Sequence, residues 1–154
     1  MKSVNKQSDQ LSGHLEVLAV PQSNIAGISG SQITLRDPEF VFELICARES
    51  IKLQLPSEYS QPGNAYKPVI SGFIPGRSSD NDTILDLMLR FRFVVLLRNA
   101  DGKYTRTGDL NHALKFGYEY STSPDPAGQH GYTFSFSGAV LTPQKSVKLP
   151  FSTE

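Results

Sequence analysis

From residue 33 onward, apolar and polar residues follow one another with a period of two, the spacing of β-strands whose side chains alternate between faces. The pattern is cleanest in the last third. Leu114, Phe116, Tyr118 and Tyr120 alternate with Lys115, Gly117, Glu119 and Ser121; after a Pro/Gly-rich stretch at 123–131, Tyr132, Phe134 and Phe136 alternate with Thr133, Ser135 and Ser137. These are predicted to be two half-buried antiparallel strands with aromatic side chains stacked across the pair. Residues 40–47 read differently. Phe40, Phe42, Leu44 and Cys46 share one face, while Val41, Glu43, Ile45 and Ala47 make the other face mostly apolar too. A strand covered on both sides is predicted there. Residues 51–55 (IKLQL) alternate simply, as a half-exposed strand that Pro56 ends.

Between these segments the signals are mixed. Residues 57–76 hold several prolines and glycines, which predicts a long irregular connection with at most one short strand at 68–74. The polar run at 77–82 (RSSDND) offers helix N-cap residues, and Ile84, Leu87, Met88 and Phe91 then recur at helical spacing. The same window also alternates, with Leu89, Phe91, Phe93, Val95 and Leu97 on one face and Arg90, Arg92, Val94, Leu96 and Arg98 on the other. The Phe and Val content favours strand for 89–98 and leaves a helix of one or two turns at 82–88 open. Asn99, Ala100, Asp101 and Gly102 make a turn, 103–107 is the returning strand, and 145–151 repeats the alternation weakly as an edge strand. Seven to nine strands separated by turns, with at most one short helix, predict an all-β, mainly antiparallel fold: a β-sandwich or barrel-like single domain. Residues 1–31 are polar apart from a candidate strand at 14–20. They are expected to form a flexible arm, with the β-domain at 32–154.

Composition changes this picture in two ways. The chain has 154 residues, one expected domain, and its nine Phe and six Tyr supply a core. Lys+Arg and Asp+Glu are 15 each, so the formal charge is zero and general attraction to polyanions or anionic membranes is absent. Residues 1–10 are followed by no apolar stretch long enough for a signal peptide, and no run approaches membrane-spanning length, so no membrane insertion is expected. The single cysteine, Cys46, cannot make an internal disulfide; inside its apolar run it reads as a small buried hydrophobe.

Candidate chemistry is sparse. His14, His112 and His130 lack the close spacing of metal ligands, so no metal or other cofactor is expected. Gly27, Ile28, Ser29 and Gly30 lack the strand and glycine spacing of a nucleophile elbow, and no phosphate-binding loop is present. Asp80, Asp82 and Asp86 are the densest carboxylates; without the glycine and terminal glutamate of a calcium loop they read as residues of a helix N-terminus. No catalytic set emerges, and the protein is expected not to be an enzyme. One charge asymmetry stands out. Residues 90–115 carry six basic residues against Asp101 and Asp109, a local excess of four. Arg90, Arg92, Arg98, Lys103 and Arg106 are therefore the candidate face for nucleic acid or an acidic partner, a basic stripe on an exposed sheet face. The alternative is a solvated face that keeps the hairpin from pairing edge to edge.

A short arm, a β-rich body, a long Pro/Gly-rich loop, no catalytic set and a terminal aromatic hairpin (115–120 and 132–136) together resemble small virion and bacteriophage structural or assembly proteins. The resemblance implies a non-enzymatic repeated subunit of a viral or similar assembly, in the virion or host cytoplasm, with itself or other structural proteins as partners. It carries over no site residue. The arm around 17–33 and the loop at 57–76 are the expected contact elements, and a small nucleic-acid-binding module using the basic hairpin is the alternative function.

Overall fold

The computed structural model describes residues 2–4, 14–29, 32–46, 50–54, 57–60, 63–99, 102–122, 130–140, 145–147 and 151–153; at 2–4, 14–15, 57–60, 63–65, 145–147 and 151–153 it describes the backbone alone. The chain opens with β1 (Lys2–Val4), β2 (His14–Pro21), one 3-10 turn (Gln22–Asn24), β3 (Ile25–Ser29), β4 (Gln32–Leu35) and β5 (Phe42–Leu44). It continues through β6 (Lys52–Gln54), β7 (Ser57–Ser60), β8 (Gly63–Tyr66), β9 (Val69–Pro75) and the helix α1 (Ser79–Met88). Last come β10 (Arg92–Asn99), β11 (Tyr104–Thr107), β12 (Leu114–Ser121), β13 (Gly131–Ser137), β14 (Lys145–Val147) and β15 (Phe151–Thr153).

The main sheet runs β1-β5-β2-β10-β12-β13-β9-β6. It forks at β10, whose first residues, Arg92 and Phe93, pair with Lys115 and Leu114 of β12, while Val95 to Arg98 pair with β11. β11 in turn carries β14. A smaller sheet, β15-β4-β3, and the β7–β8 hairpin complete the strands. All pairings are antiparallel except β1 on β5 and β15 on β4. Among the described residues the fold is thus all-β, mainly antiparallel and built of open sheets, with one short helix.

Two cores lie on opposite faces of the main sheet. On one face Val17, Ala19, Phe93, Val95 and Leu97 meet Ile70, Ile74, Phe134, Phe136 and the helix residues Leu85 and Met88. On the other, Leu18, Val20, Val94 and Leu96 meet Ile25, Ile33 and Leu35 of the small sheet. A strand that must bury both faces can alternate only apolar with apolar, and the runs Val17 to Val20 and Phe93 to Leu97 do so. Residues 41–46 follow the same rule: Phe42, Leu44 and Cys46 enter the first core and Val41 the second. Burial pushes the Cys46 thiol above its ordinary pKa, so it is a packing residue. In β9, Gly72 leaves the room that Phe134 fills, since a Cβ there would stand 2.7 Å from the ring and 3.2 Å from the Cys46 sulfur.

Several expectations from the sequence need correction. The candidate strand at 14–20 is present as β2, but it and β3 belong to the body of the fold and not to a flexible arm. β2 is a central strand with Val17, Ala19 and Val20 wholly buried, and β3 and β4 close the second core, so most of the apolar side chains of 17–33 face inward, while Ser23 and Ser29 are exposed. Asn24 ties this segment down from within. Its side chain donates to the carbonyls of Asp37 (2.8 Å) and Phe40 (2.7 Å) and accepts from the Asp37 N–H (2.8 Å). Residues 5–13 of the expected arm lie outside the described residues, as do most of the turn at 123–131 and positions 100–101 of the turn before β11. In the stretch 57–76 the strand expected at 68–74 is present as β9, with Pro68 just before it and Pro75 at its end, but the part before it is not irregular, because it holds the β7–β8 hairpin. The open choice at 82–88 resolves as a ten-residue helix that starts earlier, at Ser79.

Candidate functional site

The five basic residues singled out above do not share one exposed face. Arg90 lies in the turn after α1, Arg92 starts β10, Lys103 follows the turn before β11, and all three are exposed. Arg106 is only 5% exposed on β11, and burial lowers its pKa while Asp109 opposes that shift. Between Arg92 and Arg98, Val94 and Leu96 are wholly buried under the small sheet. The expected basic stripe is therefore broken at its centre. Arg92 instead stands directly opposite Lys115, a like-charged pair at the fork of the sheet.

Arg98 belongs to a different cluster. Its guanidinium lies 3.7 Å from the Glu16 carboxylate, its cross-strand neighbour on β2. Glu16 is held above its ordinary pKa, first by burial and then by a hydrogen bond shared with Glu43 and by repulsion from it; Arg98 and Tyr104 work against this. A carboxyl whose folded pKa is raised stabilises the fold fully below its unfolded pKa and loses that contribution as pH rises through the folded value. Glu16→Gln is therefore expected to be relatively more stable than wild type at pH 7 than at pH 4. Thermal melts of the two proteins at both pH values check this; a difference that does not move with pH would contradict it.

The helix is docked by a second polar cluster. Ser78 caps it, its hydroxyl accepting from the Asn81 N–H at 3.1 Å, and Asp80 and Asp82 fill the first turn. One turn apart, Asp82 and Asp86 reach over the sheet, where Tyr132 donates to Asp82 and Tyr118 to Asp86. Arg77 lies 3.4 Å from Asp82 and covers the Tyr120 ring at 4.8 Å. The three tyrosines are thus occupied in seating α1. The hydrogen bond to Asp86 together with burial raises Tyr118 to about 12, and burial together with the bond to Asp82 raises Tyr132 to about 12. Neutral phenols make these bonds, so this docking persists below pH 10 and is lost as pH rises through about 12. An ultraviolet titration should show Tyr118 and Tyr132 ionising late, beside Tyr104, which burial also shifts upward, with Asp86→Asn lowering Tyr118 and Asp82→Asn lowering Tyr132 toward about 10. Unchanged late ionisation in both variants would remove the latch.

A third polar group closes the turn between β11 and β12. The Asp109 carboxylate accepts from the Asn111 and His112 backbones, both at 2.9 Å, and lies 3.2 Å from the His112 ring nitrogen. Burial would raise its pKa, but these bonds outweigh that and hold it low. Among the described residues no group of three His, Cys, Asp or Glu side chains is placed to hold a metal. Nor is any helix among them long and apolar enough to cross a membrane. All three clusters have internal structural tasks.

What remains open is a sheet face. The outward side chains of β12, β13 and β9 form a grid of three rows across the strands: Lys115, Ser137 and Val69; Gly117, Ser135 and Ser71; Glu119, Thr133 and Phe73. Lys115, Ser137, Glu119 and Thr133 are exposed and the other five are half-buried. A shallow depression of about 340 Å³ lies over the middle and last rows, lined by Ser71, Gly117, Glu119, Thr133 and Ser135. Its floor is low because the middle row carries nothing larger than serine. The grid was present in the sequence as the polar half of the alternation, but nothing there marked it as a surface, since only the pairing register sets the rows. In comparisons with protein families, with curated proteins and with solved structures, nothing matches the chain.

Proposed function

We propose that this protein is a non-enzymatic structural subunit that works by protein–protein association, repeated in a viral or similar assembly. The observation that carries this reading is the open β12–β13–β9 face. β2 and β10 are buried on both sides, whereas this arm of the same sheet packs the aromatics of β12 and β13 inward and leaves outside a grid of small and charged side chains with Val69 and Phe73 at its β9 edge. A subunit that associates needs such a surface and no reactive group. The polar clusters of the domain are consistent with this, because each is tied to a strand, the helix or a turn. Sedimentation over a wide concentration range is expected to show a discrete oligomer or concentration-dependent growth. A strict monomer at the highest concentration would overturn the proposal.

Nucleic-acid binding is the second reading. It is favoured by the exposed pair Arg92 and Lys115 and disfavoured by the burial of Arg106 and the Glu16 partner of Arg98. It requires salt-dependent binding to single strands that charge reversal at Arg92 and Arg98 weakens.

A further inference from the structure

The geometry points to a second copy of this chain as the occupant of the β12–β13–β9 face, docked about a two-fold axis that lies in the interface across the middle row of the grid. This rests on the association reading above and names its surface and partner. An isologous contact requires a patch complementary to itself: whatever lies on one side of the axis must fit what lies at the same distance on the other. The rows meet that condition twice. On β12, Lys115 and Glu119 stand two residues to either side of Gly117; on β9, Val69 and Phe73 stand two residues to either side of Ser71.

Rotation by half a turn about an axis running over Gly117, Ser135 and Ser71 lays β12 antiparallel on the second copy's β12. It sets each Lys115 against the second copy's Glu119, and each Val69 against the second copy's Phe73. Ser137 falls on Thr133, and the glycine and serines of the middle row meet themselves, with Lys52 of the edge strand β6, which continues that row beyond Ser71, at the rim of the contact. Packed sheets stand about 10 Å apart, and a row of glycine and serine permits an approach at least that close. The depression beside the axis, lined by Thr133 and Glu119, is space that the second copy fills. An axis parallel to the strands over β13 would instead set each Lys115 against the second copy's Val69 and each Glu119 against its Phe73, covering the charges with apolar side chains and no opposite charge, which costs affinity.

Charge exchange tests the axis. Each substitution acts at both ends of a two-fold contact, so Lys115→Glu alone sets two glutamates against two, and Glu119→Lys alone sets two lysines against two. Each single variant is expected to weaken self-association by about tenfold or more in sedimentation equilibrium, and the double variant K115E/E119K to recover it to within about threefold of wild type. Both positions are exposed, and circular dichroism melts confirm that the variants fold. Ser135→Cys provides a separate measure, since its thiol would lie beside its own copy across the axis while Cys46 is buried and unreactive. A short bismaleimide should join this variant into a covalent dimer far faster than the corresponding Glu39→Cys variant on the exposed turn before β5. Wild type that associates while neither exchange nor cross-linking responds would overturn this interface and leave the association reading standing. Wild type that stays monomeric would remove both.

Discussion

Replacing Phe93 by alanine is expected to lower the stability of the domain by about 3–5 kcal/mol, the range for removing a buried aromatic that its surroundings cannot close over. Phe93 is wholly buried and sits where the two arms of the main sheet meet. Its ring contacts Phe42 at 5.8 Å, Phe116 at 6.2 Å, Phe136 at 5.7 Å and Phe91 at 6.4 Å, and all four meet it edge to face. These neighbours come from β5, β12, β13 and the segment entering β10, so the cavity would be walled by strands already fixed by their ladders. Partial collapse is therefore poor and the cost belongs at the upper end. Chemical denaturation measures it. A loss below about 1.5 kcal/mol would mean that Phe93 is not the hub of the first core.

Leu96→Arg is expected to leave the protein unfolded or barely folded at room temperature. Leu96 is wholly buried in the second core, beside Leu18, Val94 and Ile33. The substitution removes a large apolar side chain and adds an uncompensated buried charge, a change that by itself costs about 3–5 kcal/mol. Domains of this size have only about 5–15 kcal/mol in all. The prediction is sharp because Leu96 lies on the same strand face as Arg92 and Arg98, where arginine would be harmless if that face were solvated. Far-ultraviolet circular dichroism and sedimentation decide it. A soluble, cooperatively melting Leu96→Arg would show that the small sheet does not cover β10.

Local pattern carried a large part of this fold. The 114–137 hairpin forms with Phe116 opposite Phe136 and Tyr120 opposite Tyr132, as the alternation predicts, because a strand with one buried face leaves a period-two record and a one-residue slip would turn every ring to solvent. The two-sided burial of 41–46 was legible for the complementary reason. The same signal occurs in Phe93 to Leu97, but arginines at both ends made one face look exposed. Those arginines sit at the rim of the sheet, where a long side chain reaches solvent from beside a covered residue. Residues 14–29 looked like an arm because they are short, rich in small residues and set between polar stretches. What makes them interior is pairing with β10, more than seventy residues away in sequence.

The candidate surface divides in the same way. That Gly117, Ser135 and Ser71 are small and polar is written in the chain; that they form one row, with Lys115 and Glu119 placed symmetrically about it, follows only from the β12–β13–β9 register. The sequence alone determined the strands with one apolar face in the 114–137 hairpin and the absence of general polyanion attraction, and it offered the cap and acidic residues of a helix whose existence it left open. Those are properties of neighbouring residues and of sums over the chain. The tertiary structure decided which strands are central, which polar faces are covered and which charges are tied to partners, because each depends on contacts between residues far apart in the chain, and a local period records that a face is buried without recording what buries it.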